Sequence, residues 1–130
     1  MAQVKVYALR DHLEQIKPEL SDAVHACLVE AFELPPEKKF QRFFALEPAD
    51  FIYPSDRSAR YTILEISMFE GRSVAAKKRL IRLLFERLED ECAISPQDLE
   101  LTLSETPKHN WGIRGHPGDE LRLTYKVEVE

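Results

Sequence analysis

Residues 61–73, YTILEISMFEGRS, combine a strand pattern with a helix-start signal in one short stretch. Leucine, isoleucine and methionine occupy every second position of LEISM, which is the period of a β-strand with one buried face. Gly71 ends the alternation, and Ser73 is a favoured N-cap residue for the helical pattern that follows it. The stretch therefore predicts a strand that passes directly into a helix, with Arg72 at the junction.

The same order of elements occurs twice along the chain. An offset of 60 residues aligns strand with strand and helix with helix, and it places Pro36 opposite Pro96 in the turn that ends each helix. The two copies span about 2–48 and 60–106, and each predicts two parallel strands joined by a helix on one sheet face. We therefore predict one domain, residues 1–130, of the α+β class: a tandem βαβ repeat forming a four-stranded mixed sheet with two helices on one face.

Residues 107–130 form the remainder and are predicted to be a C-terminal hairpin and strand. Pro117 and Gly118 suit the central positions of a type II turn. Beyond them, apolar and polar side chains alternate strictly from Leu121 to Val129. This alternation predicts an edge strand with one face to bury.

Pro18 interrupts the helical pattern of the first copy. Proline is accepted in the first turn of a helix, but it removes a backbone hydrogen bond from a helix interior. We predict that the first helix begins at Pro18, with residues 11–16 as a lead-in turn. The alternative is a helix that begins near Asp11 and bends at Pro18.

The composition, 44% hydrophobic and 32% charged, is that of an ordinary globular protein. A formal net charge of -5 at pH 7 argues against nucleic acid as a partner. No apolar run is long enough to span a bilayer, and the first residues lack the basic and apolar regions of a signal peptide. We expect a cytoplasmic protein that does not bind a membrane.

The cysteines and histidines show none of the spacings typical of metal sites. Cys27 and Cys92 fall in helical patterns without a CxxC motif, which favours buried free thiols. The four histidines form neither HxH nor HExxH. We predict no metal and no cofactor.

Arg72 is the clearest candidate for ligand binding. It precedes an N-capped helix, whose free N–H groups favour an anion, and a guanidinium binds a carboxylate through two parallel hydrogen bonds. Arg10 occupies a similar place in the first copy, and Arg57 and Arg60 could add to an anion site. The alternative is that these arginines are solvated or pair with surface acids.

Trp111 is the only tryptophan and lies in TPKHNWGIRGHPGDE, residues 106–120, among two histidines and three glycines. Glycines let the backbone approach another group closely, so this segment is a second candidate for the site. The alternative is that Trp111 caps the core and the glycines only make turns.

These motifs resemble the tautomerase superfamily, which includes 4-oxalocrotonate tautomerase, macrophage migration inhibitory factor and malonate semialdehyde decarboxylase. The resemblance rests on EGRS at 70–73, ISPQD at 94–98 and HNWGIRG at 109–115, in this order on a doubled βαβ chain. It implies a homotrimer whose edge strands cross to neighbouring protomers. It also implies pockets at the subunit interfaces, around the N-terminus.

The resemblance further implies a chemistry. In the family, a proline exposed by methionine removal moves a proton between carbon and oxygen of a keto or enol acid. Here Ala2 stands in that position, Arg72 matches an arginine that holds the carboxylate, and Trp111 matches an aromatic pocket wall. Glu100 falls near a second substrate arginine of the family and reverses its charge. The candidate catalytic residues are Ala2, Arg72 and Glu100; the candidate substrate-binding residues are Arg72, Trp111, Arg10, Arg57 and Arg60.

Two functions follow as hypotheses. The first is proton transfer on a small carboxylate-bearing carbonyl compound, either keto-enol tautomerisation or a related decarboxylation or hydration in which Glu100 activates water. Its activity is expected to be weak or altered because Ala2 replaces proline. The second is a non-catalytic trimeric scaffold or anion-binding protein of the same fold.

Overall fold

The computed structural model describes residues 2–130 of the chain. Its helices and strands are, in order, β1 (Ala2–Leu9), α1 (Arg10–Phe32), β2 (Gln41–Leu46), β3 (Thr62–Phe69), α2 (Val74–Cys92), β4 (Leu99–Thr106), β5 (Gly112–Ile113) and β6 (His116–Pro117). Neither helix of this part of the chain is long and apolar enough to cross a membrane.

The main sheet has the strand order β2-β1-β3-β4. Strands β1 and β2 are parallel, as are β3 and β4, and α1 and α2 connect them, so the predicted tandem βαβ fold is confirmed. The two inner strands are antiparallel, with Ala2 opposite Met68 and Ala8 opposite Thr62. Each βαβ unit therefore places the start of its first strand beside the end of the other unit's first strand.

The core lies between one face of this sheet and both helices. Val4 and Val6 of β1 and Leu64 and Ile66 of β3 point into it, because alternate strand residues share a face. The helices complete the cluster with fully buried side chains, among them Leu20, Leu28, Leu80, Leu84 and Leu88. Burial of each such leucine stabilises the fold by about 2 kcal/mol.

Cys27 and Cys92 lie in this core as free thiols, as the sequence predicted. Cys27 belongs to α1 and Cys92 ends α2. Burial raises the pKa of each thiol to about 11, so both stay protonated at neutral pH. They act as small apolar side chains of the core.

The prediction that the first helix begins at Pro18 is wrong. Helix α1 begins at Arg10, and Pro18 lies inside it, on an exposed position. The turn before the proline buries His12 and Leu13, and the turn after it buries Leu20. Burial on both sides of Pro18 keeps the segment helical although the proline removes one backbone hydrogen bond.

The predicted turn at Pro117 and Gly118 is also wrong. The hairpin β5–β6 turns at Arg114 and Gly115, which both have positive φ angles, 49° and 85°. Gly118 instead begins a short 3₁₀ turn, and a Cβ at this position would overlap the carbonyl oxygen of Lys108. Close backbone packing, and not turn geometry, requires this glycine.

Residues 121–130 do not form the edge strand that their alternation predicts. Within the described chain they pair only at one parallel bridge, Val129 with Arg72, where the Ser73 amide donates to the Val129 carbonyl at 2.7 Å. Two apolar residues of the alternating pattern are nevertheless buried: Val127 is 1% exposed and Val129 is 9% exposed. The tail crosses the β3–α2 junction and so has no strand of the protomer to pair with along its length.

We predict that Pro18→Ala stabilises the protein by about 2 kcal/mol, because alanine restores the amide donor to the helix and the side chain is exposed. The gain is reduced by the larger conformational entropy of the unfolded alanine variant. Urea unfolding followed by circular dichroism measures the change, with Glu19→Ala at the neighbouring exposed position as control. Equal or lower stability than the native protein would contradict the prediction.

Candidate functional site

Arg72 lies between β3 and α2 and is 4% exposed. Its Nη1 donates to the Phe69 carbonyl at 3.2 Å, and its guanidinium lies 4.8 Å from the centroid of the Phe32 ring. Within residues 2–130, its Nε and Nη2 have no hydrogen-bond partner. An unpaired buried donor costs free energy, so an anion that reached these two groups would be favoured, but both atoms are closed off from solvent in this conformation.

The electrostatics of Arg72 are dominated by its burial. Loss of solvation lowers the pKa of the guanidinium, while Tyr125, Glu105 and Glu128 act in the opposite direction. Glu105 is itself paired with Lys77 at 2.5 Å. Nearby acids thus support the positive charge of Arg72 without forming a hydrogen-bonded ion pair with its Nε or Nη2.

The local sequence explains this position. The Gly71 backbone has a φ angle of 135°, which lets the chain leave β3 sharply, and Ser73 caps α2 by accepting a hydrogen bond from the Ala76 amide at 3.1 Å. The predicted N-cap is therefore confirmed. Arg72 is held between a glycine turn and a capped helix, with its side chain directed into the protein.

A cavity of about 130 Å³ lies at the start of β1, where Ala2 forms part of its wall. Leu34, Phe40, Ile113, Leu121, Leu123 and Thr124 line it together with three cationic residues, Lys38, Arg114 and Arg122, and with Tyr125. No carboxylate is among these described lining residues, so the cavity combines an apolar wall with positive charge. Tyr125 also interacts with Arg72, which therefore lies just behind the wall.

Trp111 packs against the end of β3 and does not line the Ala2 cavity. Its ring meets Phe69 edge-on, with the ring centroids 5.1 Å apart. Its carbonyl accepts a hydrogen bond from the Gly118 amide at 2.7 Å. Trp111 therefore supports Phe69, whose carbonyl in turn holds Arg72. Trp111 also lines a separate open cavity with His109 and His116, and its role as a wall of the substrate pocket stays a prediction.

The remaining predicted site residues lie at the opposite end of the sheet. The register places Glu100 beside Ile63, at the start of β3, whereas Arg72 follows the end of that strand. Arg57 pairs with Glu100 at 2.7 Å and, through this hydrogen bond, lowers the pKa of that carboxyl, with Tyr61 adding to the effect. Within one protomer, Glu100 therefore does not join Ala2 and Arg72.

Arg10 and Arg60 lie at this second end as well. Arg10 pairs with Glu47 at 2.6 Å, and Arg60 donates from Nη1 to the Ala93 carbonyl at 3.0 Å. From the predicted set, the structure thus places Ala2 and Arg72 at the same end of the sheet. It separates them from the other arginines by the length of the strands.

Sequence reasoning missed Lys38, Arg114, Arg122 and Tyr125. Arg114 lies in HNWGIRG, within the segment predicted as a second candidate for the site. Its positive φ angle of 49° is visible only in the structure. Arg122 and Tyr125 lie in the predicted edge strand, where alternation assigns them to opposite faces. They line one cavity because the tail is irregular.

The strand order β2-β1-β3-β4 with two helices on one face is the fold of solved tautomerase-superfamily structures. The Tautomerase_2 family model, described as tautomerase enzyme, matches residues 38–114, and the chain belongs to this family.

The chain is similar to a probable tautomerase, YrdN, of Bacillus subtilis strain 168, with 29% identity over 72% of this chain and 76% of the relative. It is also similar to a crystal structure of malonate semialdehyde decarboxylase, with a TM-score of 0.80 and 26% identity over 92% of this chain and 99% of that one. A fused 4-OT, solved as an asymmetric trimer, has the same fold at 20% identity, with a TM-score of 0.79 over 90% and 96% of the two chains.

We predict that Arg72→Met changes the free energy of unfolding by less than about 1 kcal/mol, or increases it, because an apolar side chain of similar length removes the cost of burying an incompletely paired cation. Urea unfolding followed by Trp111 fluorescence tests this. Leu80→Ala is the control for an ordinary core position and should cost about 2–5 kcal/mol. A loss at Arg72→Met as large as the control's would mean that the arginine is structural.

Proposed function

We propose that this protein transfers a proton on a small carbonyl compound that carries a carboxylate, at the Ala2 cavity, in a keto-enol tautomerisation or a related decarboxylation or hydration. The observation that carries the proposal is the buried Arg72, whose Nε and Nη2 have no partner in the described chain. Family membership supports the reaction class. The named relatives include a probable tautomerase and a decarboxylase of a carboxylate-bearing aldehyde.

The charge of the cavity supports an acidic substrate. Arg72 lies behind Tyr125, and Lys38, Arg114 and Arg122 line the wall itself. A guanidinium binds a carboxylate through two parallel hydrogen bonds and can also polarise a carbonyl oxygen. We assign Arg72 the carboxylate, which requires Tyr125 to move aside, and we assign the three cations of the wall the role of attracting the substrate.

The α-amine of Ala2 is the proposed base. Met1 lies outside the described residues, and its removal is part of the proposal. An α-amine has an ordinary pKa of about 8, and neighbouring cations favour its neutral form. The neutral amine takes a proton from the carbon next to the carbonyl, the electron pair of the broken C–H bond moves onto the carbonyl oxygen, and the ammonium delivers the proton to this oxygen, which gives the enol. A primary amine can also form a Schiff base with the substrate.

Glu100 is a candidate for water activation only where two protomers form a site together. In its own protomer it is held by Arg57 at the far end of the sheet from Ala2. A homotrimer, as in the fused 4-OT structure, would allow a neighbour to supply such residues, and we propose this assembly. A cytoplasmic location fits the two free thiols, since reducing compartments keep cysteines unpaired.

The second candidate function is anion binding without catalysis. It is favoured by the lining of the Ala2 cavity, where Lys38, Arg114 and Arg122 can bind an anion while Arg72 is absent from the wall that a reacting substrate would touch. Family resemblance adds that Ala2 stands where the catalytic proline is expected. In this case the scaffold and the guanidinium remain, while proton transfer is lost.

The experiment combines N-terminal mass with an activity screen on phenylpyruvate, 2-hydroxymuconate and malonate semialdehyde. We expect complete removal of Met1 and measurable turnover of at least one compound. Arg72→Ala should lower kcat/KM by about 10- to 100-fold, because it removes charge-assisted hydrogen bonds to the substrate. Arg82→Gln, an exposed change of the same charge on α2, should leave kcat/KM unchanged.

Ala2→Pro separates the two functions. Turnover in the native protein that Arg72→Ala reduces supports the enzyme. Turnover that is present only in Ala2→Pro supports the non-catalytic alternative. Retention of Met1, or native turnover that is insensitive to Arg72→Ala, would overturn the proposed mechanism.

A further inference from the structure

The sheet has a second end equivalent to the one that carries Ala2. Because β1 and β3 are antiparallel, the start of β3 at Thr62 lies beside the end of β1, just as Ala2 lies beside the end of β3. Arg10 follows β1 and begins α1, as Arg72 follows β3 just before α2. At the first end, Ala2 lies near the β3–α2 junction, which carries Arg72. At the second end, Thr62 lies near the β1–α1 junction, which carries Arg10.

A cavity of about 250 Å³ occupies this second end. It is lined by Leu9, Arg10, Asp11, His12, Gln15, Leu46, Glu47, Pro48, Ala59 and Arg60. It shares no lining residue with the Ala2 cavity. The chain is continuous through Thr62, so this end offers no α-amine and cannot perform the proton transfer proposed for Ala2.

His12 gives this cavity an unsatisfied polar group. The side chain is only 5% exposed, it lines the cavity, and its Nε2 has no hydrogen-bond partner in residues 2–130. Burial, followed by the charge of Arg60, lowers the pKa of the imidazole, while Asp98 acts in the opposite direction. The ring is therefore neutral at pH 7, and in the tautomer that carries the proton on Nε2 one hydrogen bond to a ligand oxygen would satisfy it.

Two segments of the chain supply cationic side chains to the cavity. Arg10 comes from the first turn of α1, a helix of 23 residues whose N-terminal N–H groups are not capped by a side chain of the described chain. Arg60 comes from the loop before β3. Its backbone amide donates to Ser58 Oγ at 3.1 Å and its Nη1 donates to the Ala93 carbonyl at 3.0 Å, so its position is fixed.

Two acids in the cavity oppose anion binding. Glu47 pairs with Arg10 at 2.6 Å, but both side chains are more than half exposed, and such a surface pair contributes only about 0–1 kcal/mol. Asp11 is exposed at the helix start. A carboxylate that reaches His12 Nε2 gains a buried hydrogen bond, which Glu47 does not make.

We propose that this cavity binds a small dicarboxylate, one carboxylate on Arg10 and the other on Arg60, with His12 donating a hydrogen bond from Nε2. Two planar guanidinium groups held by separate segments match two separate carboxylates better than one. This site is distinct from the Ala2 cavity, and it does not depend on the proposed reaction.

The test is a titration of the ¹⁵N-labelled full-length protein with malonate, followed by amide chemical shifts. We expect shifts at residues 10–12 and 59–60 that give a Kd of their own. Arg10→Gln should weaken this binding about tenfold, because it removes a charge-assisted hydrogen bond. Glu47→Gln should tighten it by removing the competing carboxylate. Acetate, with one carboxylate, should bind more weakly than malonate in the native protein.

Arg72→Ala separates this proposal from the proposed function. It should remove shifts near Ala2 and leave the affinity at residues 10–12 unchanged. The proposal is overturned by an absence of shifts at residues 10–12 and 59–60 at millimolar malonate, by equal affinity for acetate and malonate, or by Glu47→Gln binding no tighter than the native protein. Since Glu47 is exposed, this last variant keeps the test valid if Arg10→Gln fails to fold.

Discussion

The antiparallel pairing of β1 with β3 is the contact on which the rest of the molecule depends. It joins two βαβ units into one sheet, and its register, with Ala2 opposite Met68, places the start of the chain beside the strand that leads to Arg72. The same pairing sends α1 and α2 to one side, where their apolar faces form a common core. A shift of one residue would turn every inward side chain of one unit to the opposite face.

Burial of the Arg72 guanidinium at this junction destabilises the folded state. A guanidinium with a single hydrogen bond to a carbonyl and an aromatic ring beneath it is less stable there than in water. The large core offsets this cost, and within residues 2–130 two donors of the guanidinium are left without a partner. Both atoms are closed off from solvent, so a ligand reaches them only if the wall of the Ala2 cavity in front of them rearranges.

The tail illustrates how a correct pattern can predict the wrong structure. The alternation from Leu121 to Val129 is that of a strand, and Val127 and Val129 are indeed buried. A strand also needs a neighbour to accept its hydrogen bonds, and the described residues of the protomer supply only one bridge, at Arg72. The consequence reaches the candidate site, because the irregular tail brings Arg122 and Tyr125 to the Ala2 cavity.

Elements with strong local signals could be predicted from the amino-acid sequence. Periodicity predicted four strands and two helices, the offset of 60 residues predicted their tandem order, and Ser73 predicted the start of α2. Local signals failed where distant packing decided the outcome: Pro18 is inside a helix because both flanking turns are buried, and Gly118 is needed by the Lys108 backbone. Which charged residues lie near one another depends on the tertiary structure. Strand register, which no local pattern encodes, places Arg72 at the same end of the sheet as Ala2. It places Glu100, Arg57, Arg60 and Arg10 at the other end.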